Sequence, residues 1–125
     1  MKNFILLAIV FFIQQELFSQ DISGNWLSED TSRIYSIYKT RNSYEAKIFS
    51  SSRENDKEGI LIIRKAKKKK NKYKGIIIAV DDGLERSVII TTDRKKVNTL
   101  KLKIRRLIIF PVTIYWHKQT VGQNS

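Results

Sequence analysis

The chain has 125 residues, 42% of them hydrophobic, which is enough for one small domain and too little for two. With only five glycines and one proline, its composition is not that of a disordered chain. It has no cysteine, so disulfides, metal–thiolate sites, thiol catalysis and an acylated-cysteine lipid anchor are all excluded.

The formal net charge is +12, and it is distributed unevenly along the chain. Residues 1–63 carry seven Lys or Arg and eight acids, whereas residues 64–125 carry seventeen Lys or Arg and four acids. Such asymmetry is typical of a polyanion-binding face. It also fits a Lys-, Ile- and Asn-rich composition imposed by codon usage, in which lysines fill solvated positions. Both interpretations remain open at this point.

Residues 1–19 have the pattern of a secretory signal peptide. Lys2 precedes an apolar run, Phe4–Ile13, that is shorter than the roughly 20 residues of a transmembrane helix. Cleavage after Ser19 places a small residue at the cut, although Leu17 matches the usual site poorly. The alternative is a buried first strand or helix. We therefore predict an exported protein, periplasmic or secreted, with no transmembrane span in its mature chain and a single domain over residues 20–125.

The remaining chain is a series of short runs rich in Ile, Val, Tyr and Thr, separated by polar turns. Their spacing of roughly 8–12 residues is typical of an all-β barrel or sandwich. Asp82-Gly83 predicts a tight hairpin turn, and residues 41–43 and 92–94 also have turn composition. The predicted strands are Ile22–Ser28, Arg33–Lys39, Tyr44–Ser50, Glu58–Arg64, Tyr73–Val80, Glu85–Thr92, Thr99–Arg105 and Val112–Lys118.

Alternation within these runs indicates strands with one face in water. In "TLKLKIR" the residues Leu100, Leu102 and Ile104 share one face, and basic residues occupy the other. Because the connections are short, an antiparallel up-and-down meander is the simplest topology. About eight such strands close into a barrel, which leaves no exposed edge.

Gly24-x-Trp26 lies at the start of the first predicted strand, directly after the predicted signal peptide. This placement resembles the lipocalins and their relatives, the calycins, whose Gly-x-Trp closes one end of the barrel. The resemblance implies that a basic side chain from the last strand covers the indole in a cation–π contact. Lys118, which ends that strand, is our candidate. Arg105 is the alternative, although alternation directs it outward.

The chain also resembles a domain family of small secreted bacterial proteins with a lipocalin-like barrel and no settled activity. The resemblance spans most of residues 22–118 and implies fold and compartment but no chemistry. In two places the chain departs from the family: it has Lys118 where the family has Arg, and no glycine in Arg106–Pro111. Besides Gly24-x-Trp26, the resemblance rests on "YEAKI" (Tyr44–Ile48), "YKGII" (Tyr73–Ile77), "LKIR" (Leu102–Arg105) and Trp116-x-Lys118.

The segment "RKAKKKKNKYKG" has the highest charge density in the chain. We predict that it forms a hairpin whose lysines project into solvent. It is either a site for an anionic polymer or acidic partner, or a solvated loop enriched in lysine by composition. Nucleic acid is not expected, because the run has one aromatic residue to stack on bases and the protein is predicted to be exported. The candidate residues are Arg64, Lys65, Lys67, Lys68, Lys69, Lys70, Lys72 and Lys74.

No residue pattern predicts catalysis or a metal site. His117 is the single histidine and alternates outward, and no Gly-x-Ser-x-Gly motif is present. Glu54, Asp56 and Glu58 have the spacing of half a calcium loop, but Lys65 occupies the position of its closing acid. We expect a monomeric binding protein with no cofactor. Its partner would be a small apolar or amphipathic ligand in the barrel mouth or, alternatively, an anionic envelope component on the basic hairpin.

Overall fold

The described part of the chain forms a closed barrel of eight antiparallel strands. The computed structural model describes residues 21–80, 82–92, 95–96, 98–105 and 111–119, so the predicted signal peptide and most of residues 106–111 lie outside the described residues. The strands are β1 (Gly24–Leu27), β2 (Arg33–Lys39), β3 (Tyr44–Ser51), β4 (Leu61–Lys69), β5 (Lys72–Ile78), β6 (Glu85–Thr92), β7 (Thr99–Ile104) and β8 (Val112–Lys118).

The strands follow one another around the barrel in chain order, and β1 pairs with β8 to complete the circle. The predicted all-β meander and its closure are confirmed. One end of this up-and-down barrel, the plugged end, holds the start of β1, the end of β8 and the turns after β2 and β4. The opposite end, the mouth, holds the turns after β1, β3 and β5.

Most of the basic segment is strand, whereas the predicted strands ended at Arg64 and resumed at Tyr73. β4 begins at Leu61 and continues to Lys69, and β5 begins at Lys72. Pairing persists because Ala66 and Tyr73 turn their side chains into the barrel, where both are buried. The hairpin therefore has a two-residue turn, and its lysines lie mostly on paired strands.

A β-bulge in β4 determines which of these side chains face outward. Arg64 pairs with Ile76 and Lys67 with Lys74, so β4 has one residue more than β5 over this interval. Lys65 is the extra residue of the bulge and adopts a positive φ of 55°. Gly75 allows the close approach, since a Cβ built on it would lie 2.8 Å from Ala66 Cα.

The turn between β5 and β6 is longer than the predicted tight hairpin. Ile78 and Glu85 are the last paired residues, and the Ala79 N–H donates to the Leu84 carbonyl at 3.1 Å. Gly83 does adopt a positive φ of 70°, as its residue type indicated. The Gly83 N–H donates to the Ala79 carbonyl at 2.8 Å, so the chain reverses between Ala79 and Leu84 and not within the two residues of a tight hairpin.

Large side chains fill the middle of the barrel. Tyr35 stacks on Trp116 with ring centroids 4.1 Å apart and planes 13° from parallel. Nearer the plugged end, Tyr44 and Tyr73 form an edge-to-face pair with centroids 5.3 Å apart. Aromatic pairs in such geometries contribute roughly 0.5–1.5 kcal/mol beyond area burial. Their buried neighbours include Ile22, Trp26, Ile37, Ile48, Ile63, Ile90, Leu100 and Leu102.

Candidate functional site

The Gly24-x-Trp26 motif lies against Lys118 at the plugged end. Trp26 is 4% exposed, and its Nε1 donates a hydrogen bond to the Ile22 carbonyl at 2.9 Å. The Lys118 Nζ lies 5.5 Å from the centroid of the Trp26 ring, and the two residues are direct partners across the β1–β8 seam. Gly24 adopts a φ of 131°, which disfavours any residue with a Cβ.

Arg105, the alternative partner for Trp26, lies at the other end of the barrel. It follows Ile104 directly after β7, is exposed, and donates its backbone N–H to the Ser87 carbonyl at 3.0 Å. Because Ile104 pairs with Val112 at the start of β8, Arg105 is on the mouth side. The basic residue that covers Trp26 is Lys118.

The segment before β1 packs under the plugged end. Ile22 is 1% exposed, and the Asp21 carboxylate accepts hydrogen bonds from the Ser23 N–H at 3.0 Å and its hydroxyl at 2.8 Å. Burial raises the pKa of Tyr44 to about 12, with hydrogen bonding to Asp21 as a second cause. Apolar and aromatic groups thus block this end.

Inward-facing side chains become more exposed toward the mouth. On β7, Leu100 and Leu102 are fully buried, whereas Ile104 on the same face is half-buried. On β8 the buried Trp116 is followed toward the mouth by the half-buried Ile114. Leu100 pairs with Trp116 and Leu102 with Ile114, so these positions share the interior. Ile104 and Ile114 pack against the buried core and are partly exposed to solvent on its mouth side.

Val112 extends this apolar surface. It pairs with Ile104, is half-buried, and begins β8 at the mouth. We call Ile104, Val112 and Ile114 the mouth wall. Two adjacent strands thus present three branched apolar side chains above the Tyr35–Trp116 stack.

An arginine–aspartate pair closes one side of the mouth. The Arg33 Nε and Nη2 donate to the two Asp56 oxygens at 2.5 and 3.0 Å, and the Ser51 hydroxyl donates to Asp56 at 2.7 Å. The side chains of Arg33 and Asp56 are 11% and 4% exposed. Hydrogen bonding to Arg33, then to Ser51, lowers the pKa of Asp56 to about 2. Asp56, one of the three acids with the spacing of half a calcium loop, is therefore a buried structural carboxylate.

A second cation faces the interior on β6. Arg86 shares its face with Val88 and Ile90, and its Nη2 donates to Asp82 at 2.8 Å. Its side chain is 24% exposed. The mouth therefore combines an apolar wall on β7 and β8 with a guanidinium on the neighbouring strand.

The structure separates the eight basic candidates of the β4–β5 hairpin into distinct groups. Arg64 pairs with Glu85, and its buried Nε has no hydrogen-bond partner among the described residues. Lys65 lies in the bulge, and Lys70 lies in the turn with a φ of 58°. The Lys68 Nζ lies 6.0 Å from the Tyr73 ring centroid. The remaining four, Lys67, Lys69, Lys72 and Lys74, share the outer face of the hairpin.

His117 is exposed, with its Nδ1 3.4 Å from the Thr99 hydroxyl. Within the described ranges, no group of three or more His, Asp or Glu side chains could hold a metal ion. No helix in that part of the chain is long and apolar enough to cross a membrane.

Comparison with known proteins supports the fold independently of sequence. No protein-family model matches the chain, and no curated protein sequence matches it. A solved structure, protein HP1028 from the human pathogen Helicobacter pylori, described as belonging to the lipocalin family, superposes with a TM-score of 0.66. The match covers 82% of this chain and 86% of the H. pylori protein at 13% identity. The chain has a lipocalin-like fold. At this identity the lipocalin likeness concerns architecture alone.

Sequence reasoning did not identify Tyr35, Arg33 or Arg86 as groups that shape the mouth. Tyr35 was hidden by a register shift between Ile34 and Tyr35, which leaves both side chains buried in succession. Alternation with the buried Val88 and Ile90 was the available signal for Arg86. The Arg33–Asp56 pair joins residues 23 positions apart, and no local pattern indicates it.

Proposed function

We propose that this protein binds a small apolar or amphipathic molecule in the barrel mouth, without catalysis. The supporting observation is the exposure gradient along β7 and β8, which ends in the half-buried mouth wall. Ligand sites are usually concave and mostly apolar, with a few polar groups that orient the ligand. Eight-stranded barrels such as lipocalins have room for one small ligand.

The aromatic stack limits how deep such a ligand lies. Tyr35 and Trp116 are 6% and 2% exposed and fill the section below the mouth wall. A bound molecule therefore rests on top of the stack and contacts Ile104, Val112 and Ile114. We propose a small, shallowly bound ligand.

Arg86 favours a ligand with an acceptor group at its outer end. A guanidinium has five N–H donors, and the structure pairs its Nη2 with Asp82 at 2.8 Å. A carboxylate or hydroxyl at the rim would accept further hydrogen bonds from it, while the apolar part of the ligand meets the mouth wall. This arrangement favours an amphipathic molecule over a purely apolar one.

Titration with N-phenyl-1-naphthylamine, a neutral fluorescent apolar probe, tests the site. We expect saturable binding to the wild type and quenching of tryptophan emission through Trp116. Ile114→Gln should weaken binding about tenfold, because burying an isoleucine side chain contributes roughly 1.5–3 kcal/mol. Ile89→Gln is the matched control, since Ile89 is also half-buried but lies on the outer face of β6.

Equal binding by the Ile114→Gln and Ile89→Gln proteins would contradict a site in the mouth. So would a wild-type protein that shows no saturable binding. Native mass spectrometry of protein purified from its own host then detects the natural ligand. The ligand appears as added mass on the wild-type protein that is absent from the Ile114→Gln protein.

A further inference from the structure

The barrel register aligns lysines from three strands into two rows on the outer surface. In the first row, Lys67 pairs with Lys74, Lys74 with Ile89, and Ile89 with Lys103. Directly opposite residues in an antiparallel pair have their side chains on the same face. The first row therefore crosses β4, β5, β6 and β7 and holds three exposed lysines.

The second row is formed in the same way, nearer the plugged end. Lys69 pairs with Lys72, Lys72 with Thr91, and Thr91 with Lys101. Lys101 in turn pairs with Tyr115 on β8, whose ring centroid lies 5.8 Å from the Lys96 Nζ. We call the six exposed lysines of the two rows the lysine wall: Lys67, Lys69, Lys72, Lys74, Lys101 and Lys103.

Repulsion within the lysine wall destabilises the β4–β5 hairpin, which carries four of its six lysines. Lys67 faces Lys74 and Lys69 faces Lys72 directly across the strands, and like charges in such pairs are destabilising. No carboxylate of the described residues forms a salt bridge with any of the six lysines. Arg33, Arg53, Arg64 and Arg86, in contrast, each have an acidic partner. An anionic partner would relieve this uncompensated repulsion.

The spacing of the lysine wall fits an extended chain of charges. Neighbouring strands lie about 4.8 Å apart, so a row from β4 to β7 is about 14 Å long, and the rows are about 7 Å apart. On β6 the rows contain Ile89 and Thr91, whose side chains are half-buried and shorter than lysine. Between the rows, Tyr73, Ile90 and Leu102 turn their side chains into the barrel, so backbone forms the floor of a shallow trough with three lysines along each side.

We propose that the lysine wall binds an extended linear polyanion bearing phosphate groups, which lies between the two rows. Lysine ammonium groups bind phosphate as adaptable point charges. A chain between the rows would meet Lys67, Lys74 and Lys103 on one side and the other three lysines on its opposite side. This site is on the outer surface, separate from the mouth, and does not depend on the ligand proposed there.

A polymer fits this surface better than a lipid bilayer. The wall lies on the convex side of a barrel, where a flat membrane reaches few of its charges at once. Stable membrane attachment by basic residues also needs an apolar anchor. The exposed large hydrophobic residues among those described are Phe49, Ile60 and Leu84, and none of them is in the two rows.

The lysine wall differs from the basic site predicted from sequence. Lys101 and Lys103 belong to it, although they are about 30 residues away from the hairpin in sequence. Lys65 lies in the bulge, Lys68 lies on the face of Tyr73, and Lys70 lies in the turn. None of these three lysines therefore belongs to the lysine wall. The proposed site is therefore a surface across four strands rather than one hairpin.

Binding of inorganic polyphosphate, measured by calorimetry over a range of salt concentrations, tests the proposal. The wall variant is Lys72→Gln/Lys101→Gln/Lys103→Gln. The control is Lys39→Gln/Arg41→Gln/Lys57→Gln, which removes three exposed positive charges outside the two rows. Both variants have the same net charge, so a difference between them reports position and not total charge.

We expect the wall variant to bind polyphosphate at least tenfold more weakly at moderate salt, and the control to bind nearly as the wild type. The magnitude of the slope of log affinity against log salt concentration should fall by about 2. Three lysines are removed, and each phosphate contact contributes roughly 0.7 for a single-stranded polyanion. The wall variant should also unfold at an equal or higher temperature than the wild type, because it loses like-charge repulsion.

Equal weakening by the wall and control variants would overturn the proposal and assign binding to net charge. Wild-type affinity in the wall variant would overturn it as well. Vesicles of phosphatidylglycerol are the third probe: wall-dependent binding to them without binding to polyphosphate would make the partner a bilayer instead.

Discussion

Trp26 and Lys118 are direct partners across the seam where the barrel closes. The Lys118 Nζ lies 5.5 Å from the Trp26 ring centroid, and the Trp26 Nε1 donates a hydrogen bond to the Ile22 carbonyl. The seam itself is short, since β1 has four residues and pairs with β8 at two positions. Side-chain contact between these two residues therefore supplements a brief run of backbone pairing.

Replacing these two residues singly and together should give losses that do not add. Trp26→Ala should lower the free energy of unfolding by about 3–5 kcal/mol, the range for deleting a large buried aromatic. Lys118→Ala should cost on the order of 1 kcal/mol, as for a partly exposed cation–π contact. Each substitution removes the same contact, so the double variant should lose less than the sum.

Urea unfolding of the wild type and the three variants measures this cycle. Lys118→Arg is the control, because it keeps a cation over the indole and should restore most of the stability lost in Lys118→Ala. Additive losses, or an arginine variant no more stable than the alanine variant, would show that the contact contributes nothing.

The strands and their order were predictable because period-2 alternation has a direct physical cause. In β7, Leu100 and Leu102 are buried while Lys101 and Lys103 are exposed, as the sequence indicated. The first and last strands of a closed meander must pair antiparallel, which favoured Lys118 over Arg105 as the basic residue that the lipocalin resemblance implies over Trp26.

Bulges and long-range ion pairs were not predictable for an equally physical reason. The extra residue at Lys65 shifts the alternation of β4 by one position, so Arg64 and Lys67 both face outward. Local sequence does not encode this shift, because it depends on the missing Cβ of Gly75 on the neighbouring strand. The lysine wall likewise depends on which residues pair across neighbouring strands. Local sequence does not give these pairings, so the predicted basic site was limited to one hairpin.

Gly75→Ala should destabilise the barrel by roughly 1–3 kcal/mol, the usual cost of overpacking. An added Cβ would lie 2.8 Å from Ala66 Cα and 3.0 Å from Ala66 N, which are both backbone atoms. Gly75→Ala/Ala66→Gly should therefore remain as unstable as the single variant. Thermal unfolding measures both, with the exposed Ser87→Ala as the control. Recovery of stability in the double variant would mean that only the Ala66 side chain was in the way.

The mature protein is expected to begin near Gln20. Lys2 followed by the apolar run Phe4–Ile13 is the reason, with Ser19 as the small residue before the cut. Intact-mass spectrometry of protein from its own host measures the cleavage directly. Leu7→Arg, which interrupts the apolar run, should retain the leader and remain in the cytoplasm. Native protein that keeps its first 19 residues would contradict export through this segment.

Asp56 should make stability depend on pH in the acid range. Hydrogen bonding to Arg33, then to Ser51, lowers the folded-state pKa of Asp56 to about 2 from 3.8. Because the folded-state pKa is the lower one, the stabilisation is complete above about pH 4 and is lost as the pH falls toward 2. Asp56→Asn should cost roughly 3 kcal/mol near neutral pH, since it leaves the mostly buried Arg33 without its countercharge.

Urea unfolding of the wild type and Asp56→Asn from pH 7 to pH 2 measures this dependence, and the gap between them should narrow below pH 4. Glu85→Gln is the control: its pair with Arg64 is more exposed, and its loss should cost less than about 1 kcal/mol. The two variants remove one carboxylate charge each, so the larger loss in Asp56→Asn reports the burial of its arginine partner. A gap that stays constant down to pH 2 would mean that the Asp56 carboxylate charge contributes nothing to the fold.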